Sequence, residues 1–238
     1  MKIKILAITI LSLSWFSGCR TTDVVHQESA VAKQYFQKIK ELDLFPSVGS
    51  IRREDDSLIG SGVLVSPSIV LTAGHVIDDA SPYYFSTGKE NILIKETIQH
   101  PYYSDAWGII NNDIGLILLE TSSSIDPISL HIEGELVRGT PLITVGYGRG
   151  YKKFSLPSTF FYYGTLLEDI GQIKFLPLKD TIWYGDSGGA VFGTVDDKTV
   201  LVGIMTSFRI RDYIVYENSA SKVYYYKDWI LETIKKHG

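Results

Sequence analysis

Cysteine, clustered metal ligands and excess basic charge are all scarce in this chain. Its 238 residues include one cysteine, Cys19, so no disulfide can form within the chain. The sequence also has no glycine-rich phosphate loop with a lysine, no paired cysteines and no His-x-x-x-His motif, so we expect neither a cofactor nor a metal. Acidic residues outnumber basic ones, 27 to 23, and no basic run occurs, which argues against a nucleic-acid partner.

The N-terminus has the pattern of an export signal. Lys2 and Lys4 precede an apolar run at 5–16. At about a dozen residues, this run is too short to span a bilayer but fits the hydrophobic part of a secretory signal. It ends in Phe-Ser-Gly-Cys at 16–19, which resembles the bacterial lipobox, where cleavage precedes a lipid-modified cysteine. An ordinary signal peptide with an incidental cysteine is the alternative.

The lipobox resemblance implies an exported bacterial lipoprotein that acyl chains on Cys19 hold on a membrane. Residues 1–18 are then the signal peptide, and 19–44 form a tether. Apolar residues at helical spacing predict a short helix at 30–42 of that tether. The residue after the cysteine is Arg20, whereas an aspartate at this position commonly retains lipoproteins at the inner membrane. We therefore expect the outer membrane in a Gram-negative host and the cell surface otherwise.

From residue 45 onward the hydrophobic pattern changes to short runs separated by turn residues. The chain is 45% hydrophobic and long enough to bury a substantial core, as one domain or two small barrels. Many short strands between turn signals indicate an all-β barrel or sandwich rather than βαβ units. Apolar residues at helical spacing predict a C-terminal helix at 224–236. Strands are predicted at 61–65, 69–71, 91–98, 114–119, 141–145, 160–167, 172–175, 190–192 and 200–205.

A serine among glycines, Ser187, occurs in the stretch 181–190. Glycine lets the backbone bend sharply and lets a carbonyl substrate approach the backbone N–H groups. A serine there is a weak nucleophile unless a base takes its proton. The chain should therefore also contain a histidine and an orienting carboxylate. Thr-Ala-Gly-His at 72–75 and Asn-Asp-Ile at 112–114 supply both.

Each motif alone has a commonplace alternative, since Gly, Asp and Ser dominate turns and a single histidine is usually a packing residue. Together, in the order His75, Asp113, Ser187, they resemble the signatures of trypsin/chymotrypsin-like serine proteases. The resemblance implies two six-stranded antiparallel β-barrels, at 45–128 and 129–238, with the C-terminal α-helix at the end. Weaker similarities extend it along the chain, at 45–48, 100–103, 145–148 and 228–230.

The resemblance also implies a serine endopeptidase whose site lies between the barrels. Ser187 would attack the peptide carbonyl while His75 takes its proton, and Asp113 would orient the imidazole. The N–H groups of Gly185 and Ser187 would form the oxyanion hole. A polypeptide substrate, no cofactor and a monomeric chain are expected.

Two models of the substrate pocket follow from the resemblance. The first puts Thr181 at the floor and Thr206, Ser207 and Phe208 along the wall, which favours small or medium uncharged side chains before the cleaved bond. The second brings Asp180 into the floor, because Trp183 replaces a cysteine that forms a disulfide in many relatives and the loop is then free to bulge. A carboxylate there would favour Lys or Arg.

Two other function classes compete with the peptidase. Residues 185–189 also satisfy the Gly-x-Ser-x-Gly motif of α/β-hydrolases, but that fold places its Asp and His after the serine, and here the one later histidine is His237. A catalytically silent trypsin-like binding or sensor lipoprotein is the stronger alternative. It is motivated by the absence of an Ile-Val-Gly-Gly segment, whose new N-terminus pairs with the Asp before the nucleophile in the zymogen-activated branch of the family.

Overall fold

The structure is a computed structural model. Cys19 and the helix predicted at 30–42, the strand predicted at 160–167, and the pocket residues Asp180 and Thr181 lie outside the residues that it describes. The described residues are 44–78, 81–106, 110–136, 140–150, 152–154, 158–159, 171–175, 183–211 and 214–238.

The first half of the described chain is a closed barrel of six antiparallel strands. Its strand order is β1-β2-β3-β6-β5-β4, so every strand has two partners and no edge is left open. β3 and β6 are buried along their whole length, as their nearly uninterrupted apolar sequences predict. The strands are β1 (Val48–Arg52), β2 (Leu58–Ser66), β3 (Ile69–Thr72), β4 (Tyr84–Ser86), β5 (Asn91–Gln99) and β6 (Gly115–Leu119).

The second half is an antiparallel sheet with the order β10-β13-β12-β11-β7-β8, and β9 also pairs with β7. The predicted all-β fold is confirmed, but the strand predicted at 200–205 is the middle of a much longer one. The prediction stopped where the uninterrupted apolar run ends, although 207–211 alternates polar and apolar residues as a half-buried strand does, and no strand was predicted at 214–222. The strands are β7 (Pro141–Gly146), β8 (Lys153–Phe154), β9 (Ser158–Thr159), β10 (Gln172–Phe175), β11 (Ala190–Val195), β12 (Lys198–Arg211) and β13 (Ile214–Lys222).

Two α-helices complete the described fold, α1 (Gly74–Ile77) and α2 (Val223–His237). The predicted C-terminal helix is confirmed in α2. Its buried side chains recur at helical spacing, and the basic residues of its last turn suit the negative end of the helix dipole. Within the described residues, no helix has the length and apolar character needed to cross a membrane.

The main hydrophobic core runs through both halves of the fold. Leu71 and Leu116 of the barrel belong to the same cluster of buried side chains as Phe192 and Ile204 of the second sheet. Phe45, before β1, stacks on Phe192 of β11 with ring centroids 4.7 Å apart. The apolar packing therefore fixes one half against the other, and with it the loops that meet between them.

Candidate active site

His75 and Asp113 meet because they flank two paired strands. His75 lies on α1 just after β3, and Asp113 lies just before β6, which pairs with β3. Oδ2 of Asp113 is 2.8 Å from Nδ1 of His75, and Oδ1 accepts the backbone N–H of His75 at 2.9 Å. Asp113 is 3% exposed, so its charge has little water to solvate it. The carboxylate accepts a hydrogen bond from Nδ1–H, so the neutral ring carries its proton on Nδ1 and Nε2 is its basic nitrogen.

The segment around Asp113 is held from the second sheet and from α2. Ser221 on β13 donates a hydrogen bond from Oγ to the backbone carbonyl of Asp113 at 2.7 Å. Asn112 adopts a φ of 48°, a left-handed conformation that asparagine tolerates. Its Nδ2 donates to the carbonyl of Tyr102 at 2.8 Å, and the hydroxyl of Tyr226 on α2 donates to its Oδ1 at 3.4 Å. Both halves of the fold thus determine where the carboxylate lies.

Two tyrosines close to this segment keep their protons. Burial, and after it the charge of Asp113, raises the pKa of Tyr103 to about 12. Burial, followed by Tyr225 and Asp113, raises the pKa of Tyr226 still further above its ordinary value. Both phenols are therefore neutral over the physiological pH range, and Tyr226 can serve as a hydrogen-bond donor throughout it.

The loop that carries Ser187 needs its glycines. Gly185 has a φ of 93° and Gly188 a φ of 81°, a region that L side chains rarely adopt. A Cβ on Gly188 would also lie 2.1 Å from the carbonyl oxygen of Ser61 and from Oγ1 of Thr72. The glycines that flank Ser187 in the sequence are thus required by the conformation of this loop.

Backbone N–H groups in this loop fall into two sets. Those of Asp186, Gly188 and Gly189 donate to the carbonyls of Trp183, Met205 and Asp186 at 2.7–3.0 Å. Those of Gly185 and Ser187, by contrast, donate to no acceptor within the part of the chain that the structure describes. Since buried or half-buried N–H groups normally have partners, two unused donors on one loop suit an external anion or carbonyl oxygen.

The carboxylate of Asp186 lies under the loop and is 1% exposed. Its Oδ1 accepts the N–H of Gly148 at 2.6 Å, and its Oδ2 accepts the N–H of Trp183 at 2.7 Å. A Cβ added to Gly146 or Gly148 would come within 2.5 Å of a carboxylate oxygen of Asp186. The turn after β7 therefore has no side chains at these positions because the carboxylate fills the space.

Strand β2 stands between the Ser187 loop and α1. A Cβ on Gly60 would lie 2.9 Å from the carbonyl oxygen of Ser187 and 2.9 Å from Cγ1 of Val76, the residue after His75. The structure thus brings all three motif residues to the junction of the two halves. Among the described side chains, Ser187 Oγ and the His75 ring share no hydrogen bond. That contact is often long in a free enzyme and shortens with substrate.

A small pocket opens beside Ser187. Thr206 is buried and donates from Oγ1 to the carbonyl of Ser219 at 3.2 Å, which fixes it in the β12–β13 hairpin. Phe208 is half-buried, with its ring 5.6 Å from that of Tyr184. All of the described lining residues are neutral. They are Trp183, Ser187, Met205, Thr206, Ser207 and Phe208.

Sequence reasoning missed three residues of this region. Trp183 and Met205 line the pocket, although neither was assigned a site role. Ser61 on β2 contacts the loop that carries Ser187 through its backbone and its hydroxyl. The apolar pattern that predicted β2 gave no sign of the hydroxyl contact, because it depends on a partner 124 residues away.

Known proteins are similar to this chain over most of its length. The family model of trypsin matches residues 40–230. The chain is 26% identical over 216 aligned residues to chymotrypsin-like elastase family member 3B of Macaca mulatta, covering 74% of this chain and 82% of that protein. It is 25% identical over 197 aligned residues to chymotrypsin-2 of Vespa crabro, covering 71% and 86%.

A solved structure has a similar fold. It is described as neuropsin, a serine protease expressed in the limbic system of mouse brain. The TM-score is 0.64 at 21% sequence identity, with 80% of this chain and 95% of that chain covered.

The packing of Asp186 against Gly148 can be tested by adding one methyl group. Gly148→Ala should lower the free energy of unfolding by about 1–3 kcal/mol, because the new Cβ overlaps a buried, hydrogen-bonded carboxylate. Gly150→Ala in the same turn separates atomic overlap from backbone strain: its Cβ would meet no atom of the described residues within 4 Å, and its φ of 86° leaves a backbone cost alone, about 1–2 kcal/mol. Urea denaturation measures both. A Gly148→Ala variant as stable as the wild-type protein would contradict the close packing.

Proposed function

The chain belongs to the trypsin family of serine proteases, and on that premise we propose that it is an endopeptidase that uses Ser187, His75 and Asp113. The observation that carries the proposal is the pair of hydrogen bonds from His75 to the buried carboxylate of Asp113. They hold the imidazole in one orientation and in the tautomer that leaves Nε2 basic. A packing histidine has no need of a buried charge at Nδ1.

In this proposal Ser187 Oγ attacks the carbonyl carbon of the scissile peptide bond while Nε2 of His75 takes its proton. The C–N bond of the tetrahedral intermediate breaks, and His75 gives the proton to the leaving amine. Water then attacks the acyl-enzyme with His75 again as the base, which frees the acid product and Ser187. Asp113 stays ionised throughout and stabilises the imidazolium each time it forms.

The negative oxygen of each tetrahedral intermediate needs donors, and the N–H groups of Gly185 and Ser187 are proposed to supply them. Their lack of other acceptors within the described chain supports this role. Donors of this kind are worth about 3–4 kcal/mol each in transition-state stabilisation. Because these donors belong to the backbone of the loop, they are in place before the charge develops.

The pocket is proposed to accept a small or medium uncharged side chain. Its described wall is neutral, and Phe208 narrows it from one side. Thr181 is the proposed floor, and Asp180 is the residue that would reverse the preference. A carboxylate facing a bound cation forms a strong charge-assisted pair, so the two floors predict clearly different substrates.

The protein is further proposed to act as a monomer on the surface of a bacterial membrane, anchored by lipid on Cys19. The Phe-Ser-Gly-Cys stretch at the end of the apolar run supports this location. The outer membrane is the proposed site in a Gram-negative host and the cell surface otherwise. A tether at 19–44 would keep the catalytic barrels away from the lipid.

One prediction of the proposed function concerns the three catalytic residues. Replacing Ser187, His75 or Asp113 by Ala should each remove nearly all peptidase activity, and the losses should not add, since the three act as one unit. A fluorophosphonate should label the wild-type protein and leave Ser187→Ala unlabelled. Ser207→Ala is the control. Ser207 is exposed and lines the same pocket, and the variant keeps Ser187, so it should label normally. A wild-type protein that never labels would favour the silent binding lipoprotein.

The second prediction concerns side-chain preference. A peptide-library profile should show cleavage after small or medium uncharged residues. Phe208→Ala should extend this preference to larger uncharged residues, since it removes the ring that narrows the pocket. Asp180→Asn should leave the profile unchanged. A dominant Arg or Lys preference that Asp180→Asn abolishes would overturn the neutral pocket.

The third prediction concerns the anchor. Mass spectrometry of the mature N-terminus should show Cys19 as the first residue, carrying acyl chains, in protein recovered from the membrane fraction. Cys19→Ser should abolish the modification and release the protein from that fraction. An unmodified Cys19, or cleavage at another position, would rule out lipid anchoring.

A further inference from the structure

Ser61 on β2 is fully buried and joins four separate segments of the fold. Its N–H donates to the carbonyl of Ser187 at 2.8 Å, and its carbonyl accepts Oγ1 of Thr72 at 2.8 Å. Its hydroxyl donates to the carbonyl of Gly185 at 2.7 Å and accepts the N–H of Tyr147 at 2.9 Å. Donor and acceptor capacity of the hydroxyl are therefore both in use, in a site without water access.

In the loop that carries Ser187, the backbone carbonyls and the backbone N–H groups of Gly185 and Ser187 have different surroundings. The carbonyls of Gly185 and Ser187 are both fastened to Ser61. The N–H groups of the same two residues have no acceptor within the described chain. The hydrogen bonds to these two carbonyls restrain the peptide groups that follow Gly185 and Ser187. The peptide groups that carry the two N–H donors are their direct neighbours, so they are restrained as well.

Gly185 is the weak point of this arrangement because glycine rotates more freely than any other residue. At a φ of 93°, its backbone is in a region that only glycine occupies easily. The Ser61 hydroxyl bond restrains the peptide group that follows Gly185. Tyr147, which holds the hydroxyl in place, directly precedes Gly148, whose N–H binds Asp186.

We propose that Ser61 is a positioning residue whose hydroxyl holds the 185–187 backbone in the conformation that binds the oxyanion. The proposal rests on the proposed peptidase function. Any residue other than proline at position 61 could make the N–H bond to Ser187, but the bridge between Gly185 and Tyr147 needs a small side chain that both donates and accepts, as a hydroxyl does. A methyl group there would leave the Gly185 carbonyl facing an apolar, buried site.

Two substitutions in the full-length protein test the role of the hydroxyl. Ser61→Ala should lower kcat and kcat/KM together by about tenfold and leave KM unchanged, because the lost restraint matters in the transition state. Ser61→Cys keeps the shape with a weaker hydrogen-bonding group, so its kcat should be intermediate. A peptide aldehyde, whose carbon bonds to Ser187 Oγ and whose oxygen takes the oxyanion position, should bind to Ser61→Ala about tenfold more weakly.

Ser50→Ala is the matched control. Ser50 lies opposite Ser61 on β1, is 1% exposed, and has its hydroxyl bonded to Arg52 and to the carbonyl of Ser86, away from the nucleophile loop. It should keep wild-type kcat and aldehyde affinity.

The outcomes separate this proposal from the proposed function. An active wild-type protein with unchanged kcat in Ser61→Ala overturns the positioning role alone. Equal losses in Ser50→Ala and Ser61→Ala also overturn it, because they would reflect general weakening of the barrel. If Ser61→Ala does not fold, a Ser61→Cys variant with wild-type kcat and aldehyde affinity decides against it. An inactive, unlabelled wild-type protein overturns the peptidase function, and the positioning role with it.

Discussion

The buried carboxylate of Asp113 is the constraint on which the site depends. A charge that is 3% exposed is costly unless donors surround it, and His75 supplies two, one from its ring and one from its backbone. That requirement fixes α1 against the start of β6. Ser221, from the opposite sheet, fixes the backbone of Asp113 in turn. The histidine is therefore oriented by electrostatics within the barrel and by a hydrogen bond that crosses between the halves.

Apolar packing holds the two halves of this fold in place, whereas many secreted relatives also use disulfides. With a single cysteine in the chain, the relative position of the halves depends on a core that continues from Leu71 in the barrel to Phe192 and Ile204 in the second sheet. Such cores resist small displacements because side chains interlock at crystal-like density. The loops that meet at the junction inherit this rigidity, which is what preorganised donors need.

The sequence predicted the parts of the fold that follow from local pattern. β3 and β6 were found from uninterrupted apolar runs and α2 from helical spacing, and His75, Asp113 and Ser187 were singled out from short motifs. The end of the β12–β13 hairpin was missed because 207–211 alternates polar and apolar residues instead of continuing the uninterrupted apolar run, and tertiary pairing decides whether such a stretch forms a strand. Ser61 was missed for a deeper reason: a buried hydroxyl shows its purpose only when its distant partners are in place.

Two buried carboxylates each position a different part of the site. Asp113 comes from the barrel half and orients His75, whereas Asp186 comes from the second half and packs beneath the loop that carries Ser187. Both are bound by backbone N–H groups, which side-chain substitution cannot remove. Next to the site, the neutral hydroxyls of Ser61 and Ser221 link the halves. Farther away, Lys152 and Arg52 add charged links, to the backbone carbonyls of Phe45 and Gly150. Because a neutral hydrogen bond depends little on salt or pH, the two hydroxyl links hold the backbone beside Asp113 and Ser187 independently of the charges that they position.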